Sequence, residues 1–184
     1  MAQALVVVCG NAGTGKTTWA KQLARRDHAA LLDLDTVSGR LVAAAHSELG
    51  RDPNDRDSPD YKRVFRDAIY ETLLAIAREC EGKVVLVAPL TTERTRADFP
   101  SWIAERAGCA PEIHYFVTDE RVREQRLRAR QNPRDTAKFQ DYAAYRELSP
   151  REAPPPYPHR WFDTSTEFPS LESEPQLLGS VEVG

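Results

Sequence analysis

The sequence has few of the residues and patterns that would place it in several common classes of protein. Among its 184 residues are 3 cysteines and 1 methionine, and the cysteines at positions 9, 80 and 109 do not have metal-ligand spacing. We interpret them as buried free thiols in a reducing compartment. No apolar run approaches the roughly 18 residues that a membrane helix needs, and the N-terminus lacks the pattern of a secretion signal. The sequence therefore predicts a cytoplasmic protein that does not contact a membrane.

The chain also lacks a strong excess of either charge. It has 25 Lys and Arg against 28 Asp and Glu, which gives a formal net charge of −3. Without an overall basic field, the composition argues against nucleic acid as a partner. The length and the hydrophobic content of 41% fit one α/β domain with a full core.

Apolar, strand-like runs alternate with helical stretches along the chain, and this alternation predicts a parallel sheet with crossover helices. The runs lie at residues 5–9, 29–34, 83–88, 113–117 and, more weakly, 160–162. We expect one domain over residues 1–168, with an insertion at 37–80, a lid region at 119–147, an irregular connection at 150–158 and a tail at 169–184. The tail has little periodicity.

The motif G-x-x-x-x-G-K-T at residues 10–17 follows the first apolar run and precedes a helical stretch. Glycines allow backbone amides to converge on phosphate oxygens, so the motif predicts a site for a nucleoside triphosphate. We expect Lys16 to reach the β- and γ-phosphates and to face solvent when no nucleotide is bound, and Thr17 to ligate Mg²⁺. The predicted nucleotide-binding residues are Gly10, Asn11, Ala12, Gly13, Thr14, Gly15, Lys16, Thr17 and Thr18.

Two aspartates end the second apolar run, which reads Leu32-Asp33-Leu34-Asp35. Alternation along a strand would place both carboxylates on one side, at the carboxyl end of the sheet where α/β folds bind ligands. We expect Asp35 to accept the proton of an attacking hydroxyl and Asp33 to serve the metal. The alternative is that one of the two caps the following helix.

The third apolar run ends with Ala88-Pro89, where motor and switch ATPases usually carry an acid for Mg²⁺. A carboxylate for the metal must then come from Asp33 or Asp35. This difference disfavours a motor ATPase.

Arginines follow the fourth run, and Arg126 and Arg130 share one face of a predicted helix. They could form a lid over the transferred phosphate, or they could belong to a solvated basic face. Arg40 and Arg94 follow strand ends and could bind an anionic group of the acceptor, although surface ion pairing is an equal alternative for each.

Together, residues 10–18, Asp33-x-Asp35, residues 84–89 and Arg126-x-x-x-Arg130 resemble the small P-loop kinases. That group includes adenylate, shikimate and gluconate kinases, chloramphenicol phosphotransferase and zeta-toxin-like kinases. The resemblance implies a five-stranded parallel sheet of order 2-3-1-4-5, an acceptor site built by the insertion, and an arginine-bearing lid. It also implies that Arg126 lies against adenine, that Arg130 reaches the phosphates, and that Arg134 is a further lid arginine. Asp163 and Thr164 would line the adenine pocket.

The sequence therefore predicts a phosphotransferase that uses ATP and Mg²⁺ to phosphorylate a hydroxyl of a small molecule, such as a secondary metabolite, a sugar or a nucleotide-sugar. Two alternatives remain open. One is a nucleotide-driven regulatory ATPase or switch that binds a protein partner, and the other is a polynucleotide 5′-kinase. The sequence does not predict the oligomeric state.

Overall fold

A computed structural model describes residues 4–148, 153–172 and 176–179 of the chain. Six strands in this part form one sheet of order β2-β3-β1-β4-β5-β6. They are β1 Ala4–Gly10, β2 Ala30–Asp33, β3 Lys83–Val87, β4 Pro111–Val117, β5 His159–Asp163 and β6 Gln176–Leu178. Strands β1 to β5 are parallel, whereas β6 pairs antiparallel with β5.

The predicted α/β class and the predicted order of the first five strands are confirmed. The predicted count of five strands is wrong, because a three-residue strand from the tail extends the edge of the sheet. Such a short strand carries no alternation that a sequence pattern could detect. Residues 150–152 of the predicted connection, and 173–175 and 180–184 of the tail, lie outside the described residues.

Helices connect the parallel strands and cover both faces of the sheet. They are α1 Lys16–Arg26, α2 Leu34–Glu48, α3 Pro59–Tyr61, α4 Asp67–Glu79, α5 Phe99–Ala107, α6 Glu120–Ala129, α7 Thr136–Gln140 and α8 Tyr142–Leu148. A π-helical turn at Lys62–Arg66 joins α3 to α4, and 3₁₀ turns lie at Glu93–Thr95 and Pro133–Asp135. In the described part of the chain, no helix has both the length and the hydrophobicity to span a membrane.

Strand β1 lies at the centre of the sheet and is buried on both sides. Leu5 and Val7 pack into a core cluster with α4 and α5, whereas Val6 and Val8 pack against Trp19 of α1. Continuous apolar strands are expected when helices cover both faces of a parallel sheet. This packing fixes the carboxyl end of β1, from which the phosphate-binding motif emerges.

The three cysteines, all among the described residues, are not in disulfides, and their burial differs. Cys9 lies in the core on β1, whereas Cys80 and Cys109 are only partly buried at the ends of α4 and α5. The prediction of three buried thiols is therefore wrong for the last two.

Candidate functional site

The predicted phosphate-binding motif forms the loop between β1 and α1. Gly10, Gly13 and Gly15 have positive φ angles of 138°, 88° and 88°, a region that side chains disfavour. A Cβ atom on Gly10 would lie 2.2 Å from the carbonyl oxygen of Phe116, so only glycine allows the loop to pass this close to β4. The N-cap residue of α1 is Gly15, which has no side chain to accept from the helix amides. The start of this helix lies where helix N-termini bind phosphate in other proteins.

Lys16 does not face solvent in this structure. Its residue is 8% exposed, and its Nζ donates to the carbonyl oxygen of Asn11 at 2.5 Å. The expectation of a solvent-facing ammonium is therefore wrong, because the loop itself supplies an acceptor for the lysine. Thr17 and Thr18 are exposed in the first turn of α1.

Thr17 and Asp33 bring two oxygen ligands together at the end of the sheet. The Thr17 hydroxyl donates to Oδ2 of Asp33 at 3.3 Å, and Oδ1 of Asp33 accepts from the backbone amide of Thr36 at 2.9 Å. Asp33 therefore caps α2 with one oxygen and contacts Thr17 with the other, so the cap is confirmed and the role toward the metal stays a prediction. Hydroxyl and carboxylate oxygens suit Mg²⁺. Among the described residues, no group of three His, Cys, Asp or Glu side chains is arranged to hold a metal.

Asp35 lies in the first turn of α2, because β2 already ends at Asp33. The prediction that strand alternation places both aspartates on one side is therefore wrong. The Asp35 carboxylate is exposed and forms an ion pair with the guanidinium of Arg134. Arg134 belongs to the 3₁₀ turn that follows α6, within the predicted lid region. The proposed base and a lid arginine are thus in direct contact.

Arg126 ties α6 to the segment that follows β5. Its Nη1 and Nη2 atoms donate to the hydroxyl and carbonyl oxygens of Thr164 at 2.8 and 2.7 Å. The hydroxyl of Thr164 donates in turn to the carbonyl of Thr14 at 3.1 Å. The predicted lid arginine is therefore connected to the phosphate loop. Thr164 is fully buried in this arrangement, whereas Asp163 is exposed and accepts from the amide of Ser165 at 2.9 Å.

A network of charged side chains joins the lid to the insertion. Arg130 donates through Nε and Nη2 to both carboxylate oxygens of buried Asp135, at 2.5 and 2.8 Å. Nζ of buried Lys138 lies 3.0 Å from Asp135 and 2.7 Å from Asp57 of the insertion. Burial alone would raise the pKa of Asp135, but the hydrogen bond from Arg130 and the charge of Lys138 lower it overall. Burial would lower the pKa of Lys138, but Asp57 raises it.

A cleft of about 570 Å³ separates the insertion from the lid. The insertion loop at its wall is held in place by His46, whose Nδ1 donates to the carbonyl of Asp52 at 2.9 Å, and by Arg56, which donates to the carbonyl of Gly39 at 3.0 Å. Two ion pairs cross from the predicted lid region, one from Lys138 to Asp57 of the insertion and one from Arg134 to Asp35 of α2. The cleft is lined by Arg51, Asp52, Asn54, Asp55, Arg56, Asp57, Ser58, Pro59, Asp60, Pro133, Arg134 and Ala137.

A sequence-family model described as an AAA domain (AAA_33) matches residues 5–150, which is most of the chain. The chain belongs to this AAA domain family. No curated protein matches its sequence.

Many solved structures resemble the fold of this AAA domain, including the following three. A candidate kinase from Chloroflexus aurantiacus is 20% identical, with a TM-score of 0.56 and 90% of each chain covered. A sugar kinase from Janibacter is 13% identical, with a TM-score of 0.54, and the match covers 88% of this chain and 86% of that one. The APS kinase of Mycobacterium tuberculosis, solved with AMPPNP and APS, is 18% identical, with a TM-score of 0.53 and 88% of each chain covered. At these identities the likeness establishes the small P-loop kinase fold.

Two of the predicted acceptor-binding arginines of this AAA domain have different environments. Arg40 is exposed on α2, as an acceptor-binding residue would need to be. Arg94 is fully buried, and its Nη2 donates to Oδ1 of Asn11 at 2.6 Å. Arg94 therefore fits neither alternative considered for it in this structure, because its guanidinium contacts Asn11 of the phosphate loop and reaches neither an acceptor nor the surface.

Several residues near the site were not found from the sequence. Lys138 and Asp57 join the lid to the insertion, and Phe168 lies beside the start of α1, where a Cβ atom on Gly15 would meet the ring at 2.7 Å. The charged composition of residues 51–60 was the only signal for Asp57. Neither Lys138 nor Phe168 belongs to a motif, so their contacts could not be inferred from spacing.

Proposed function

We propose that this AAA domain protein is a phosphotransferase that uses ATP and Mg²⁺ to phosphorylate a hydroxyl group of a small molecule. The observation that carries the proposal is the arrangement at the carboxyl end of the sheet. A glycine cradle, the Thr17–Asp33 oxygen pair and Asp35 lie there together, and Arg134 connects Asp35 to a charged cleft. Triphosphate binding, a metal and a base facing an acceptor are the components that phosphoryl transfer needs.

The phosphate loop would bind and orient the triphosphate. Its positive-φ glycines and the N-terminal amides of α1 would offer backbone donors to the phosphates without side-chain obstruction. Lys16 would exchange the carbonyl of Asn11 for a phosphate oxygen, and Thr17 and Asp33 would hold Mg²⁺ in place of their hydrogen bond. When bound, Mg–ATP supplies the transferable phosphoryl group and a cation that neutralises its developing charge.

Asp35 would serve as the base for the acceptor. The acceptor oxygen forms a bond to the γ-phosphorus, the bond from that phosphorus to the β–γ bridging oxygen breaks, and the hydroxyl proton moves to Asp35. Arg134 holds the Asp35 carboxylate in this structure, so the pair must open before Asp35 accepts a proton. A movement of the lid region would achieve this, and would also bring Arg126 and Arg130 toward the nucleotide.

This proposal divides residues 1–168 into a nucleotide-binding core, an acceptor-binding insertion at 37–80 and a lid at 119–147. The position of the cleft between the loop at 51–60 and Arg134 supports that division. The similar APS kinase was solved with AMPPNP and APS, which supports ATP as the donor. Secondary metabolites, sugars and nucleotide-sugars are the acceptor classes proposed. Location in the cytoplasm stays a prediction from the sequence.

The proposal is tested by incubating the protein with γ-labelled ATP, Mg²⁺ and a metabolite extract, followed by mass spectrometry. We expect one or more small molecules to gain a single labelled phosphoryl group in a reaction that Asp35→Asn suppresses. Addition of oligonucleotides with 5′-hydroxyl ends in parallel tests the polynucleotide kinase. Labelled inorganic phosphate as the sole product would contradict a kinase and favour a regulatory ATPase, and labelled oligonucleotide ends would favour the polynucleotide 5′-kinase.

A further inference from the structure

Arg94 is a fully buried cation directly behind the phosphate loop. It lies in the 3₁₀ turn after β3 and is 0% exposed. Within residues 4–148, 153–172 and 176–179, no carboxylate forms an ion pair with it. Its Nη atoms donate to Oδ1 of Asn11 at 2.6 Å and to the carbonyl of Pro89 at 2.8 Å, and its guanidinium lies 5.2 Å from the ring centre of Tyr115.

This environment is unusual for a charged side chain. Arginines are rarely fully buried unless a counter-ion accompanies them, because the loss of hydration is expensive. Amide and carbonyl oxygens carry only partial negative charge, and Nε of Arg94 has no hydrogen-bond partner among the described residues. The positive charge therefore remains largely uncompensated beside the loop.

Asn11 connects this charge to the site. Its side chain accepts from Arg94, and its backbone carbonyl accepts from the ammonium of Lys16. Asn11 is itself buried and also receives a hydrogen bond from the Thr14 hydroxyl through the same carbonyl. The position of Asn11, and with it the backbone of the cradle, is thus fixed from behind by Arg94.

We propose that Arg94 is a positioning residue of the phosphate loop, a buried cation that holds Asn11 and whose missing counter-charge is supplied by the phosphates of the bound nucleotide. This inference rests on the proposed binding of nucleotide at the loop. A low-polarity environment strengthens the attraction between a buried charge and an anion, and salt screens it little. Arg94 thereby favours the phosphate-bound state over the empty one.

The two possible roles of Arg94, support of the fold alone or attraction of the nucleotide phosphates, predict different nucleotide affinities when it is replaced. If Arg94 only supported the fold, its removal would destabilise the empty protein and leave the intrinsic nucleotide affinity unchanged. If its charge also acts on the phosphates, replacement by an apolar side chain removes this attraction as well as the bonds to Asn11 and Pro89. Nucleotide affinity of the folded variant should then fall, whatever the change in stability of the empty state.

The experiment compares Arg94→Met with Arg96→Met, which makes the same change two residues later, at an exposed arginine paired with Asp98. Mg–ADP is titrated by calorimetry, and thermal midpoints are measured without ligand. For Arg94→Met we expect about a tenfold or larger increase in Kd, the size of a lost interaction with a charged group, while a cooperative unliganded melting transition shows that the variant is folded. Arg96→Met should change neither quantity. An unchanged Kd for Arg94→Met would overturn the inference.

Arg94→Lys separates charge from hydrogen-bond geometry, since it keeps the cation but not the planar fork. We expect it to bind Mg–ADP within about threefold of wild type, because the charge is retained. A loss equal to that of Arg94→Met would contradict the role of the charge. If Arg94→Met does not fold, the neutral Arg94→Gln takes its place with the same expected loss. Failure of the wild type to bind Mg–ADP would instead refute the proposed function, so the two failures are distinguishable.

Discussion

The two sides of the candidate site are held together by different interactions. The phosphate loop is fixed by buried contacts, including the bonds from Thr164 to Thr14 and from Arg94 to Asn11. The lid and the insertion are joined mainly by ion pairs, including those of Lys138 with Asp57 and Arg134 with Asp35. Buried packing gives one arrangement, whereas the carboxylates of these two ion pairs are 38% and 52% exposed, so water can replace the cation beside them at smaller cost. We propose that the nucleotide site is rigid and that the region at 119–147 moves as a lid.

The largest expected effect is the loss of phosphate transfer in Lys16→Ala, a change within the phosphate loop. Removal of a cation that meets the transferred phosphoryl group should reduce labelled phosphate transfer by about a hundredfold or more. Because the ammonium of Lys16 is buried against Asn11, the variant should also lose stability, by about 1.5 kcal/mol in urea unfolding. Lys21→Ala, at an exposed position of α1, is the matched control. Normal transfer by Lys16→Ala would mean that the loop does not bind the transferred phosphate.

Asp35→Asn tests the contact between the two sides. Loss of the general base should lower transfer by about a hundredfold. The Kd for Mg–ADP should change by less than about twofold, because the phosphate loop does not use this carboxylate. Asp98→Asn, an exposed carboxylate outside the cleft, serves as the control. An equal loss of transfer and of nucleotide affinity would show that Asp35 belongs to the nucleotide site.

Lys138→Met should weaken the lid without affecting the loop. The change leaves buried Asp135 with one partner instead of two, so we expect the free energy of unfolding to fall by about 2 kcal/mol. Mg–ADP affinity should stay within about twofold of wild type, as the loop is held separately. The control is Lys62→Met, an exposed lysine in the π-helical turn. A large loss of nucleotide affinity in Lys138→Met would remove the distinction between the two sides.

The smallest effect is the pH dependence of the lid network. The pKa of Asp135 is lowered below its ordinary 3.8, so its contribution to stability is present above that pH and is lost as the pH falls through the lowered value. The pKa of Lys138 is raised above its ordinary 10.5, so its contribution is present below that pH and is lost as the pH rises through the raised value. Urea midpoints should therefore be flat near neutrality and fall at both extremes.

Lys138→Met provides the matched comparison for this pH profile. In this variant, the part of the stability loss at alkaline pH that comes from deprotonation of Lys138 should disappear. The part that comes from other titrating groups should remain. Identical alkaline profiles for wild type and variant would show that the ion pairs of Lys138 with Asp57 and Asp135 contribute nothing to stability.

The phosphate loop could be predicted from the sequence because its signal is local. Gly10 and Gly15 of the motif, with Gly13 between them, form the loop between β1 and α1 that the motif predicts, and all three have positive φ angles. The end of β2 could not be placed, since Leu32 to Asp35 alternates as a strand does and Asp33 with Thr36 also fits a helix cap. Both patterns are present, and tertiary packing selects the second.

The lid network and the environment of Arg94 depend on contacts between distant segments. Asp57 and Lys138 lie in different halves of the chain, and Arg94 and Asn11 are separated by 83 positions. Periodicity and motif spacing report neighbours along one element, so they carry no information about such pairs. For the same reason the sequence gives no sign that Arg94 is fully buried.

Calorimetric titration of the wild-type protein with ATP, in the presence of Mg²⁺ and again in EDTA, tests the central claim most directly. The account predicts saturable binding at one site per chain, tighter with Mg²⁺ because Thr17 and Asp33 hold the cation. A folded protein that releases no heat with either titrant, and whose thermal midpoint ATP does not raise, would contradict it.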